Sequence, residues 1–205
     1  MRSLNLMMAA LLLGLSTHSN ALIVDGCVTG GTVFTSSTGC DLFEKVDTDP
    51  FENRKDNNKV GRNHFNDNLL HAFNEKQNVW SETYDTLVSS HYVFFDPKNR
   101  QTVTGWITFD GDILEIFKSK KNLKQTATEF GLNDVNYRYP GAVGLEKRDK
   151  PGTTFEGNRL TIDNWRASSP GDHIRVITAV VSEPGSIALL GLGLVGLAVS
   201  RRRRH

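Results

Sequence analysis

The sequence predicts a mainly-β body, a single β-sandwich or jelly-roll-like domain with one short helix, between residues 22 and 180. Three observations carry this reading. Short runs rich in Val, Ile, Thr, Phe and Tyr recur along the chain, clusters of Gly, Asn and Asp separate them, and one run alternates strictly between two faces. A body of about 160 residues suits one domain with a single core.

Taken in order, Leu69 to Asn74 and Asn78 to Ser81 flank the polar Glu75-Lys76-Gln77 and read as a hairpin. His91 to Asp96 is a β-rich run stopped by Pro97-Lys98-Asn99-Arg100. From Thr102 to Phe109 the chain places Val103, Gly105, Ile107 and Phe109 on one face and Thr102, Thr104, Trp106 and Thr108 on the other. After Asp110-Gly111-Asp112 the run Ile113 to Phe117 continues the pattern, so a second hairpin is expected there. Ser119 is placed to cap a short helix through Leu123, Ala127 and Phe130, with Gly131 ending it. Further strands are expected at Val135 to Tyr139, Arg159 to Asp163 and His173 to Ala179. The polar stretch Asp47 to Asn68 reads as a long exposed loop.

The two ends are of a different kind. Met1-Arg2, an apolar run from Leu6 to Leu15, and small residues at Ser19 and Ala21 make a secretory signal peptide over residues 1–21, cut after Ala21. The run is too short for a hydrocarbon core that needs about 20 apolar residues. At the other end Ser186 to Ser200 carries no charge and is followed by Arg201, Arg202, Arg203, Arg204 and His205. Such a segment is stable in hydrocarbon only as a helix, and about 15 residues span roughly 22 Å. It reads as a marginal C-terminal transmembrane helix, with the arginines as a membrane stop on the cytoplasmic side and the body outside. Gly191 to Gly196 matches the GxGxxG dinucleotide fingerprint, but neither the βαβ context nor a later acidic residue accompanies it. Its glycines suit close packing of membrane helices.

Immediately before the apolar run stands Val181-Ser182-Glu183-Pro184-Gly185-Ser186. A Glu-Pro pair, a short Gly-rich apolar helix and a terminal arginine cluster, in that order, resemble the PEP-CTERM sorting signal of Gram-negative bacteria. The resemblance covers about the last 25 residues (181–205), with Ser182 standing where the motif's name has its first proline. It implies recognition by exosortase, a membrane-embedded cysteine transpeptidase-like enzyme, cleavage near Glu183-Pro184, and delivery to the cell surface or an exopolysaccharide matrix. With the secretion translocon and the cytoplasmic membrane, exosortase completes the expected partners. Ser90 to Asp96, Gly144 to Asp149 and Ser169 to Thr178 resemble segments in body domains of other proteins bearing this signal, and no activity is carried over from them.

Charge and residue chemistry bound the function. Without Arg2, the terminal arginines and Glu183, 19 basic and 22 acidic residues remain, a net charge near −3. Nucleic-acid binding requires a basic surplus, so that class is set aside. Cys27 and Cys40 are the only cysteines, and in an exported chain they are expected to form a disulfide. No CxxC and no His pair at ligand spacing supports a zinc site instead.

Asp47-x-Asp49 opens like a calcium loop, but Pro50 and Phe51 follow and Arg54 and Lys55 would repel the ion. No cofactor is therefore expected, with Ca²⁺ at Asp47 and Asp49 kept as the alternative. No GxSxG elbow is present, and the carboxylate pairs Glu146 with Asp149 and Asp110 with Asp112 are open to turn chemistry as well as to glycoside hydrolysis. Trp106, among threonines on the polar face of its strand, is the first candidate for a sugar-stacking platform, with a core role as its alternative. The expectation is a non-catalytic binding or structural module associated with exopolysaccharide, and the rival is a secreted carbohydrate-active enzyme of the same fold class.

Overall fold

The computed structural model describes residues 18–34, 39–46, 59–61, 64–139, 141 and 143–182. Residues 1–17 of the expected signal peptide, the calcium candidates Asp47 and Asp49, Glu183, Pro184, the apolar tail and Arg201 to Arg204 lie outside them. In chain order the elements are β1 (His18–Ser19), β2 (Ile23–Gly30), a 3-10 turn (Gly39–Leu42), β3 (Phe43–Lys45), β4 (Lys59–Val60), β5 (Leu70–Asn74), β6 (Val79–Ser81) and β7 (Thr86–Phe95). Then follow β8 (Gln101–Phe109), β9 (Ile113–Phe117), α1 (Lys120–Phe130), β10 (Asn136–Tyr137), β11 (Thr153–Glu156), β12 (Arg159–Ala167), β13 (Asp172–Ala179) and β14 (Val181–Ser182). Two compact units result: residues 1–19 with 181–205, and the body Asn20–Val180. In the first unit β1 and β14 pair antiparallel, His18 opposite Ser182 and Ser19 opposite Val181.

The body is mainly β, with two sheets sharing one core. The smaller sheet has the order β11-β12-β8-β2 and is antiparallel throughout. The larger has the order β3-β5-β7-β13-β9, with β6 also on β7, and its β3-β5 pair is parallel. Val28, Ile107, Phe109, Leu160 and Trp165 of the small sheet meet Leu70, Val93, Phe95, Ile174 and Val176 of the large one in a single apolar cluster. This is the sandwich that the alternating patterns predict. The faces of β8 fall as expected: Val103, Gly105, Ile107 and Phe109 are buried while Thr102, Thr104, Trp106 and Thr108 are half-buried.

A second layer covers the opposite face of the large sheet. Phe73, Tyr92 and Phe94 project from that face onto Leu123 of α1, Val135 and Val143. Strands β7 and β13 are therefore buried on both sides, which explains why His91 to Asp96 is a continuous run rather than an alternating one. Helix α1 forms as predicted. Ser119 Oγ accepts the Asn122 N–H at 3.2 Å, and the Gly131 N–H closes onto Ala127 O at 2.9 Å.

Both expected hairpins are corrected. Strands β5 and β6 each run antiparallel to β7, so they follow one another along the same edge, and the reversal comes after Ser81. Strand β8 lies in the small sheet and β9 in the large one, so Asp110-Gly111-Asp112 is a crossing between sheets. Gly111 is needed there because a Cβ would stand 2.1 Å from Ala179 O. The loop Asp47 to Asn68 is also not wholly exposed. Val60 pairs beside β10, and Phe65 is buried with its N–H on Asp96 Oδ2.

Buried charge ties the layers together. Arg175 of β13 is fully buried and grips Glu75 in two bonds, Nε to Oε2 at 2.6 Å and Nη2 to Oε1 at 2.8 Å. Its Nη1 donates to Leu123 O and Thr126 Oγ1 of α1. One guanidinium thus clamps the helix to the sheet. Cys27 and Cys40 form the expected disulfide, which links β2 to the 3-10 turn.

Candidate functional site

The outer face of the small sheet is where polar side chains and an aromatic ring meet solvent. Register sets its rows. Thr154, Thr161, Trp106 and Cys27 stand opposite one another across four strands, and Glu156, Arg159, Thr108 and Asp25 form the next row. Because strand side chains alternate, Leu160 and Ile107, between these rows on the two central strands, turn inward to the core. The Arg159 guanidinium carbon lies 4.2 Å from the centre of the Trp106 ring, a cation–π stack.

An open groove of about 580 Å³ runs along this face. Thr29, Thr104, Thr154 and Thr161 contribute hydroxyls to it, Trp106 and Arg159 a flat stacked surface, and Asp163 a carboxylate. A smaller groove of about 300 Å³ adjoins it through Pro151, Gly152 and Asp163 and adds Arg148, Asp149 and Arg166. Asn164 makes this corner: it takes φ +52° at the bulge of β12, and its N–H bonds Thr104 Oγ1 at 3.0 Å.

Behind the smaller groove lies an acidic group whose partners sequence spacing did not reveal. Asp149 and Asp172 are both buried, and Oδ2 of each lacks a hydrogen-bond partner among the described residues. Burial pushes the Asp172 carboxyl up to about 8, the charges of Asp149 and Glu146 add to the rise, and Arg148 opposes it. Arg148 in turn pairs with Glu146 and reaches Asp149 at 3.6 Å. Glu146 with Asp149 is thus one corner of a three-carboxylate set, and Asp172, 23 positions later, was outside any local pattern.

The other candidates separate. Asp110 accepts the N–H of Leu22, while Asp112 O accepts from Ala179 at 2.8 Å, so this pair organises the chain crossing. Trp165 is core, its Nε1 donating to Thr153 Oγ1 at 2.7 Å, whereas Trp80 is exposed on β6. Tyr137 and Tyr139 serve the helix layer, bonded to Leu132 N–H and Leu123 O. A histidine unremarked in the sequence, His71, lies buried between Asp67 at 2.7 Å and Glu44 at 3.1 Å. Burial pulls its pKa down, yet those two carboxylates outweigh burial and leave it raised. Among the described residues no group of three or more His, Cys, Asp or Glu has the geometry to hold a metal.

Fold and staple together define a disulfide-bonded β-sandwich protein. A profile of the PEP-CTERM protein-sorting motif matches residues 180–204. No curated protein matches the chain, and no solved structure does. The chain carries a PEP-CTERM protein-sorting motif at its C-terminal end, and that motif indicates export, processing at the membrane and sorting by an exosortase. Replacing Glu183-Pro184 with Ala-Ala should leave the protein exported but uncut. The check is the intact mass of surface material from an exosortase-positive host: the parent should end near Pro184, the variant at His205.

Proposed function

We propose that the body is a non-catalytic module that binds exopolysaccharide through the groove on the outer face of the small sheet, once sorting has placed it at the cell surface or in the matrix. The observation that carries this reading is the Trp106–Arg159 stack at 4.2 Å, set among four threonines in an open groove. Sugar rings present C–H faces that stack on flat surfaces and hydroxyls that pair with Thr and Asp. Arg159 adds a planar cation suited to carboxylated sugars.

Trp106→Ala should weaken binding of the mature protein to its host's exopolysaccharide about 10-fold or more, the scale of an aromatic hot spot. Affinity electrophoresis on that polysaccharide measures it, and undiminished binding would reject the groove. The rival, a secreted carbohydrate-active enzyme, draws on Asp149 at the smaller groove with the high-pKa Asp172 behind it. Release of reducing ends by the parent, lost in Asp149→Asn, would establish that rival.

A further inference from the structure

Two arginines of β12 present their charge to solvent on the outer face of the small sheet. Arg159 and Arg166 are both exposed, and neither enters an ion pair among the described residues, whereas Arg148 pairs with Glu146 and Arg175 with Glu75. On the basis of the exopolysaccharide reading above, we propose that the groove takes an acidic heteropolysaccharide at two points. One carboxylate of the polymer sits on Arg159 and another on Arg166, with uncharged sugars between them.

A bulge creates the arrangement. Arg159 and Arg166 are seven positions apart, an odd interval that would turn them to opposite faces of a regular strand. Between Ile162 and Trp165 the register shifts, so that three steps on β12 match the two from Gly105 to Val103 on β8. Ile162 and Trp165 therefore both join the core, while Asp163 and Asn164 are both exposed. Beyond the bulge Arg166 returns to the face that carries Arg159. Its carbonyl accepts Arg148 Nη2 at 3.3 Å, and the charge of Arg148 is itself balanced by Glu146 and Asp149.

The partner strand sets the spacing. Arg159 stands opposite Thr108 and Arg166 opposite Thr102, six residues along β8, so the two backbone positions lie about 20 Å apart at about 3.3 Å per residue. That interval accommodates several sugar rings, so each guanidinium meets a different sugar. Trp106 and the hydroxyls of Thr104 and Thr161 lie along it. Asp163 lines both grooves between the two arginines, where it accepts from sugar hydroxyls and repels a carboxylate. Glu156 and Asp25 share the row of Arg159, and Asp149 lines the groove of Arg166, so attraction is confined to the guanidiniums themselves. A polymer acidic at every sugar is thereby disfavoured, and one charged at intervals is favoured. Each planar guanidinium can hold a carboxylate by two parallel hydrogen bonds. Joining two such contacts in one chain makes the second intramolecular, so affinity rises with ligand length.

Sodium gellan, whose glucuronates are separated by neutral sugars, is the probe, and the same polymer with its carboxyls reduced to alcohols is the neutral control. In affinity electrophoresis the mature protein should bind intact gellan about 10-fold or more tighter than reduced gellan. In titration calorimetry, gellan oligosaccharides with two glucuronates should bind about 10-fold or more tighter than those with one. Arg166→Gln should abolish that gain with length, and Arg166→Lys, which keeps the charge without the planar fork, should keep part of it. Equal binding of intact and reduced gellan would overturn the two-point contact, as would a gain with length that survives in Arg166→Gln. Full retardation of Trp106→Ala, or no retardation of the parent by either polymer, would instead reject the groove itself and the two-point contact with it.

Discussion

Glu75→Ala should lower the unfolding free energy by about 3–5 kcal/mol, the cost of leaving one member of a buried ion pair alone. Arg175 and Glu75 side chains are both fully buried, and the variant loses both bonds, of 2.6 and 2.8 Å. Glu75 also accepts from Ser90 Oγ at 2.6 Å, so a hydroxyl is orphaned with the guanidinium. Against a typical total of 5–15 kcal/mol, this is a large share of the fold's stability. Urea titration of the mature protein measures it. Replacing both partners with apolar residues, Glu75→Leu with Arg175→Met, should cost less than Glu75→Ala alone, because no charge is then stranded. A double variant worse than the single would show that the hydrogen bonds to Leu123 O and Thr126 carry the clamp.

Asp172→Asn should stabilise the protein increasingly as pH rises from 6.5 to 8, by about 2 kcal/mol across that interval. The sign follows from proton binding. The fold holds Asp172 protonated up to about 8, whereas in the unfolded chain it ionises near 3.8. Between those values the folded state binds the extra proton, so stability falls with rising pH and the parent is penalised relative to the amide. His71, with its raised pKa, has the same sign above its ordinary value.

Two buried histidines have the opposite sign. Burial holds His91 down to about 3, with Lys45 adding, and holds His173 down to about 4 against its bond to Pro170 O. The stability they contribute is complete above 6.5 and is lost as pH falls through 4 and 3. Denaturation at a series of pH values measures the difference between parent and variant. A difference that does not grow between pH 6.5 and 8 would mean that Asp172 is already ionised in the fold.

How much of this was legible in the chain depends on the range of the interactions involved. Local chemistry was readable. Ser119 and Gly131 bound the helix because caps act within one turn, and Thr102 to Phe109 declares its faces because alternation has a period of two. Cys27 and Cys40 pair because an exported chain with two cysteines offers no other partner, and Glu183-Pro184 with its apolar and arginine segments is a contiguous signal. Trp106 was placed on the solvent face by its threonine neighbours, and there it stands.

What depended on distant partners was hidden. The reversal at Asp110-Gly111-Asp112 looked like a hairpin because two strand-like runs flanked a turn. Only the competing pairing with β13, whose partners lie 58 to 65 positions away, carried β9 into the other sheet. Arg175 and Glu75 are separated by 100 positions, and Asp172 joins Asp149 only when β13 folds against its neighbours. Arg159 reaches Trp106 because β12 runs antiparallel to β8 in one particular register. The sequence by itself determined the helix, the staple, the sorting tail and those strands that alternation or turn residues mark, since each is written in residues near one another. The tertiary structure alone decided which carboxylates lose their water, which ring receives a cation, and which strand lies beside the sorting motif, because burial and long-range pairing set those energies.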